Sequence, residues 1–208
     1  MEERSVGRRR RMDRRTRIFG NRARASIHTR LMTSHPHSSS RYCMQCGGDL
    51  AERLPQGDSM ARLVCEACGF IHYLNPRPVA GIIPVREDGN LLLVRRAIEP
   101  RRSFWVFPGG FMDVGETAEE AAARETQEEA NLEVTALSLL GVYTRIHAGV
   151  VVIVYEALAL GEGSAGSETS EVGWFAPAAI PWSELAFDTT HWALEAWLKK
   201  RGLEDLKN

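Results

Sequence analysis

Residues Gly110–Leu132 read GFMDVGETAEEAAARETQEEANL, and the placement of the glutamates in this stretch decides how the chain is read. Successive residues turn about 100° around a helix, so Glu125, Glu128 and Glu129 fall within an arc of about 100°. Ala118, Ala121, Ala122 and Leu132 share that arc, while Glu119, Glu120, Ala123 and Gln127 lie opposite. The acids thus occupy the face that a helix ordinarily turns inward. Glu125 and Glu129 are like charges at i and i+4, and anions near a helix C-terminus oppose its dipole. Arg124 is the one cation nearby. Carboxylates brought to one spot raise each other's proton affinity unless a cation is present. The spacing therefore predicts a divalent-metal site, with an exposed acidic helix as the ordinary alternative. Its ligands are all oxygens, which favours Mg²⁺ or Mn²⁺, and Glu116 adds a further carboxylate at the helix start.

The helix has clear limits. Thr117-Ala-Glu-Glu120 has capping-box spacing, and Asn131 falls where a helix ends in a left-handed residue. Around it, strands are expected at 79–85, 91–94, 104–107, 134–146, 150–160 and 172–175, and a second helix at 190–200. Pro108-Gly109-Gly110 reads as the end of the third strand, and the apolar run at 150–160 reads as a central one. Strands mixed with two substantial helices make an α/β (α+β layered) domain.

All four cysteines fall in one pattern, Cys43-Met-Gln-Cys46 followed after eighteen residues by Cys65-Glu-Ala-Cys68. Paired CxxC knuckles of this spacing supply the four thiolates of a structural Zn²⁺ site, whose closed shell leaves no catalytic position. The chain thus divides into a basic tail over 1–40, a four-cysteine zinc ribbon over 41–74 and a larger layered domain over 75–203.

The formal net charge of −1 conceals an asymmetry. Residues 1–41 hold 12 arginines against Glu2, Glu3 and Asp13, and the remainder carries −10. So acidic a body argues against broad nucleic-acid binding, which depends on neutralising phosphates. The tail lacks apolar periodicity; it reads as disordered, or as a gene start placed too early, with Met12 or Met32 as the initiator. No stretch approaches the ~20 apolar residues of a membrane span, and no secretory signal is evident, so a cytoplasmic protein is expected.

The residues Gly110, Glu116 and Arg124-Glu125-Thr126-Gln127-Glu128-Glu129, preceded by Phe107-Pro108-Gly109-Gly110, resemble the signature box of the Nudix hydrolases. Two positions depart from it: Thr126 replaces an aliphatic residue, and Asn131 replaces the closing glycine. The resemblance implies a Nudix-type α/β/α sandwich behind a small N-terminal zinc ribbon. It implies that Glu125, Glu128 and Glu129 coordinate metal, that Glu116 assists, that Arg124 orients the glutamates, and that Gly109 and Gly110 form the loop before the helix. The implied reaction is hydrolysis of a nucleoside diphosphate linked to another moiety. A general base is expected in the later loop, with Glu171 preferred to Glu168.

The ribbon, the Asn75-Pro76 connector and Leu185-Ala-Phe187 extend the resemblance to a subgroup described as acting on FAD or ADP-ribose, releasing AMP and a phosphate ester. The zinc-ribbon NADH pyrophosphatases carry a Ser-Gln-Pro-Trp-Pro-Phe-Pro-type run after the box; residues 131–141 contain none of it, which demotes NADH. Phe104, Trp105, Phe111 and Tyr143 could stack on a flat ring, and Arg95, Arg96, Arg101 and Arg102 could meet phosphates. Each also has an ordinary reading in core packing or as a solvated loop. The alternatives to a dinucleotide hydrolase are a hydrolase of oxidised nucleoside triphosphates and a non-catalytic nucleotide-binding regulator. A homodimer is the family-level expectation.

Overall fold

In a computed structural model the described residues are 40–207; the tail over residues 1–39 and its two candidate initiators lie outside them. The first element is a three-stranded antiparallel sheet of β1 (Leu50–Arg53), β2 (Arg62–Cys65) and β3 (Ile71–His72).

The main sheet contains β4 (Arg77–Val85), β5 (Leu91–Arg96), β6 (Trp105–Val106), β7 (Gly109–Phe111), β8 (Glu133–Arg145), β9 (Val150–Leu160) and β10 (Thr169–Phe175). Its order is β10-β5-β4-β9-β8, with β6 paired to β5 and β7 to β4. β9 runs parallel to β4 and antiparallel to β8, which explains why its sequence is apolar almost throughout. Helices α1 (Ala118–Ala130) and α2 (Asp188–Lys200) cover the sheet.

Period-two alternation divides the core between the two helices. Ala80 and Ile82 of β4 pack with Ala121 and Ala122 of α1, whereas Ile83 and Val85 pack with Ala193, Leu194 and Trp197 of α2. In β5, Leu91 and Leu93 join the α2 cluster, and Leu92 and Val94 join Ala130 and Leu132 at the end of α1. This is the α/β/α sandwich that the resemblance implied.

One strand departs from expectation. Gly109–Phe111 begins in the Pro108-Gly109-Gly110 run read from sequence as the end of the preceding strand, yet it pairs with β4 through Gly81↔Gly109, Ala80↔Gly110 and Val79↔Phe111. A Cβ on Gly109 would stand 2.6 Å from the Gly81 Cα, so two facing glycines let the strands meet. That pairing delivers the 109–111 backbone beside α1.

Candidate functional site

In the ribbon, two tight turns face each other. The Gly47 amide donates to the Cys43 carbonyl at 2.9 Å, and the Gly69 amide donates to the Cys65 carbonyl at 3.0 Å. The Cys43 and Cys68 sulfurs lie 3.7 Å apart, and those of Cys46 and Cys65 lie 3.5 Å apart. A tetrahedron with metal–sulfur bonds of about 2.3 Å places its sulfurs about 3.8 Å apart, so the set fits a four-thiolate shell. The Cys68 and Ala67 backbone amides draw the Cys65 thiol down to about 7. Cys68, although its sulfur receives the Phe70 amide, is pushed up to about 12 by the neighbouring cysteines and burial. Among the described residues, this is the one set of three or more His, Cys, Asp and Glu side chains whose ligand atoms all lie within 4.8 Å.

The carboxylate helix begins and ends as its sequence dictates. Thr117 Oγ1 accepts the Glu120 amide at 3.2 Å, and the Glu120 carboxylate accepts the Thr117 amide at 2.8 Å. Asn131 closes the helix at φ 45°, its amide donating to the Gln127 carbonyl. Thr126, the other departure from the box, is fully buried and satisfies its hydroxyl on the Ala122 carbonyl at 2.8 Å.

Glu125, Glu128 and Glu129 line a cavity of about 750 Å³ together with Gly109, Gly110, Phe111 and Arg124. Arg124 is the hub: it donates to Glu116 at 2.8 Å, to Glu125 at 2.8 Å, to Glu128 at 3.4 Å and to the Phe111 carbonyl at 3.1 Å. Its guanidinium, followed by the Asp113 amide, holds Glu116 at about 2. Glu129, only 7% exposed, accepts the Gly109 amide at 3.0 Å. Burial pushes it up to about 7 despite that bond, and Glu125 is raised by burial against the pull of Arg124. The acids line one cavity, yet their oxygens do not converge as a single ligand cluster, because Arg124 draws Glu116, Glu125 and Glu128 while Gly109 engages Glu129. One buried and one half-buried carboxylate with raised proton affinity, Glu129 and Glu125, are what a divalent cation would relieve, so the donor set fits Mg²⁺ or Mn²⁺.

The other expected residues separate. Glu171 turns away from the cavity and pairs at 3.3 Å with Arg95, which also holds Glu184 at 2.9 Å. Glu168 and Ser167 lie on the cavity wall instead, and a register shift between Thr169 and Glu171 separates them from Glu171. Of the four aromatics, only Phe111 lines the cavity. Trp105 is buried edge-on against Phe175 at 5.0 Å, Phe104 packs in the cluster with Leu92, and Tyr143 packs on Trp192 at 6.3 Å. Arg95 and the arginines at 101 and 102 are likewise absent from the wall, whereas Arg96 is on it.

Sequence reading missed Arg77, Arg145 and Phe187. Arg77 lies over the Phe111 ring at 4.3 Å, and Arg96 and Arg145 lie over the Phe187 ring at 5.3 and 5.0 Å. These residues come from β4, β5, β8 and the start of α2, and no local spacing links them.

Two family models match this chain: the NUDIX domain over residues 75–198 and the Nudix N-terminal model over residues 41–74. An ADP-ribose pyrophosphatase of Methanocaldococcus jannaschii is 38% identical over 123 residues, which is 56% of this chain and 70% of that protein. An NAD-capped RNA hydrolase, NudC, of Vibrio vulnificus is 33% identical over 107 residues, 51% of this chain and 39% of that protein. The chain thus spans well under half the length of that NudC relative. The crystal structure of a NUDIX hydrolase from Nitrosomonas europaea superposes with a TM-score of 0.73 at 39% identity, covering 78% of this chain and 94% of that one.

Proposed function

This chain belongs to the Nudix family of hydrolases, and from that premise we propose that it cleaves ADP-ribose, or a closely related dinucleotide, to AMP and a phosphate ester. The observation that carries the reading is the composition of one cavity. Carboxylates Glu125, Glu128 and Glu129 face it together with Arg77, Arg96, Arg145 and Glu168. At about 750 Å³ it has the size of a site for a dinucleotide-sized ligand. The likeness to an ADP-ribose pyrophosphatase favours ADP-ribose over FAD. The likeness to NAD-capped RNA hydrolases keeps NAD-like diphosphates in the same class, although residues 131–141 lack the run that marks NADH pyrophosphatases.

In this reading Glu125, Glu128 and Glu129, assisted by Glu116, hold Mg²⁺ or Mn²⁺, which supplies Lewis-acid neutralisation of the diphosphate oxygens. Arg124 keeps the first, second and fourth of these acids in place. Arg77, Arg96 and Arg145 meet phosphate oxygens, and Phe111 offers a surface to a flat ring. Glu168 takes a proton from the attacking water, whose oxygen bonds to one phosphorus as the bridging P–O bond breaks. The four cysteines hold Zn²⁺, which closes the ribbon and takes no part in hydrolysis.

The test is product analysis after incubation with Mg²⁺ or Mn²⁺ and a panel of ADP-ribose, FAD, NADH and nucleoside triphosphates. AMP from ADP-ribose, lost in Glu128→Gln, is the expected result. Free pyrophosphate from triphosphates with ADP-ribose untouched would transfer the protein to the nucleotide-sanitising class. ADP-ribose bound but uncleaved would make it a regulator.

A further inference from the structure

The loop between β9 and β10 is built onto the C-terminal end of α1. The last carbonyls of a helix have no partner within the helix, and here the loop supplies them. The Ser164 amide donates to the Ala130 carbonyl at 2.7 Å, the Gly166 amide to the Glu129 carbonyl at 3.1 Å, and the Thr169 hydroxyl to the same Glu129 carbonyl at 2.6 Å. Gly166 lies so close that any Cβ there would overlap the Glu128 carbonyl oxygen. Thr169 is buried, and its oxygen also accepts the Gly166 amide at 2.9 Å, which closes the loop on itself.

Asn131 completes this attachment from the helix side. Its Nδ2 donates to the Ser164 and Ala165 carbonyls, each at 3.2 Å. Its backbone is left-handed, at φ 45°, a conformation that glycine meets with less strain. Cap geometry alone therefore does not account for an asparagine here; the side chain's two donated bonds do. Two residues past Ala165 the chain places Ser167 on the cavity wall, followed by Glu168, whose own carbonyl accepts the Ala97 amide at 2.8 Å. The segment carrying Glu168 is thus held at one end by Asn131 and α1, and at the other by β5's exit.

We infer that Asn131 is a positioning residue: its side-chain amide ties the 164–169 loop to α1, and so fixes Glu168 relative to the carboxylates on the same helix. The inference rests on the hydrolase reading above and adds to it a residue that touches neither substrate nor metal. Because glycine suits the cap, Asn131→Gly separates positioning from stability. It removes both donated bonds while relieving backbone strain.

The experiment compares the full chain with Asn131→Gly and Asn131→Asp. Aspartate retains the side-chain shape but donates nothing. Three quantities are read: Tm, amide hydrogen exchange over residues 164–168, and kcat and KM for ADP-ribose or whichever panel substrate the wild type turns over. Asn131→Gly is expected to shift Tm by less than about 4 °C, since its two lost bonds are solvent-exposed and glycine relieves the left-handed cap, to speed exchange in the loop about tenfold, and to lower kcat about tenfold with KM changed less than about twofold. Asn131→Asp is expected to share the kcat loss. An active wild type with an equally active Asn131→Gly overturns the inference and leaves the hydrolase reading standing. Unchanged exchange in the loop overturns it as well, whatever the rates. A wild type silent on the whole panel overturns the hydrolase reading first, and the catalytic part of this inference with it.

Discussion

Gly166→Ala tests the contact between loop and helix by sterics alone. The residue does not need a left-handed backbone, so alanine costs nothing conformationally. Its Cβ, however, would lie more than an ångström inside the 3.0 Å that Cβ contacts essentially never undercut, and the opposing atom is the Glu128 carbonyl oxygen. Backbone cannot rotate aside as a side chain can, so either the loop or the last turn of α1 must move. The shift breaks the Gly166–Glu129 and Thr169–Glu129 bonds, worth about 1 kcal/mol each. A loss of about 2 kcal/mol lowers Tm by about 4–8 °C in a domain of this size. The effect on rate is larger in proportion. A displacement of about 1 Å among catalytic groups costs about 100-fold, or about 2.7 kcal/mol of barrier. AMP release at 25 °C measures kcat/KM, and circular dichroism at the same temperature checks that the variant is folded. A kcat/KM within about threefold of wild type would refute the reasoning, because it would mean that Glu128 and Glu168 tolerate the displacement that the added carbon forces.

The remaining predictions concern charge and metal. Burial raises Glu129 from 4.5 to about 7, so the stability it contributes is complete below pH 4.5 and is lost as pH rises through about 7. Metal-free wild type should lose about 3 kcal/mol relative to Glu129→Gln across that window, read from urea midpoints in chelator at pH 4.5 and 8; parallel pH dependences would refute the assignment. Glu156 behaves oppositely: burial pushes it up, but hydrogen bonds from Lys200 and Arg201 outweigh this, leaving it lowered. Its contribution is present above the ordinary value and lost as pH falls through the folded one, so Glu156→Gln should cost about 1 kcal/mol at pH 7 and nothing in acid. In the ribbon, elemental analysis should find one Zn²⁺ per chain, lost in Cys65→Ser; a stoichiometric metal content that survives the substitution would contradict the four-thiolate assignment.

The parts of the molecule legible in the sequence are those set by short spacings. The capping box at Thr117, the left-handed Asn131 and the inward face of α1 follow from helical geometry over a few residues. The cysteines follow from two CxxC pairs, and the burial of Ala121, Ala122 and Glu129 agrees with the predicted arc, whereas Glu125 on that arc is half-buried and Glu128 exposed. Reading fails where tertiary structure overrides local pattern. β7 is three residues long and rests on a glycine-to-glycine approach that has no periodicity to detect. Tyr143 lies beyond two register shifts in β8, between Thr135 and Ser138 and between Leu139 and Gly141, so counting by twos along that strand could not place it. Glu168 and Glu171 are separated by a similar irregularity, and the residue preferred from sequence became the one paired with Arg95.

The cavity's arginines answer a difficulty posed by the acidic composition. From residue 42 onward the chain carries a net −10, and its cavity wall includes six acids, so the wall itself opposes the polyanions it is proposed to bind. Local charge counters this in two ways. Arg124 is committed to three glutamates and has little charge to offer a ligand. Arg77, Arg96 and Arg145 have no carboxylate within 4.0 Å among the described residues, and lie instead over Phe111 and Phe187. Arg96 spends its Nε on the Pro100 carbonyl at 2.8 Å, and a guanidinium held on a ring face keeps its remaining N–H groups for phosphate oxygens. One arginine therefore organises the acids, while three others, brought from separate strand ends, would keep their charge for the diphosphate of the proposed substrate. Such a division of labour depends on which strands the fold makes neighbours, so it emerges only once the sheet order is known.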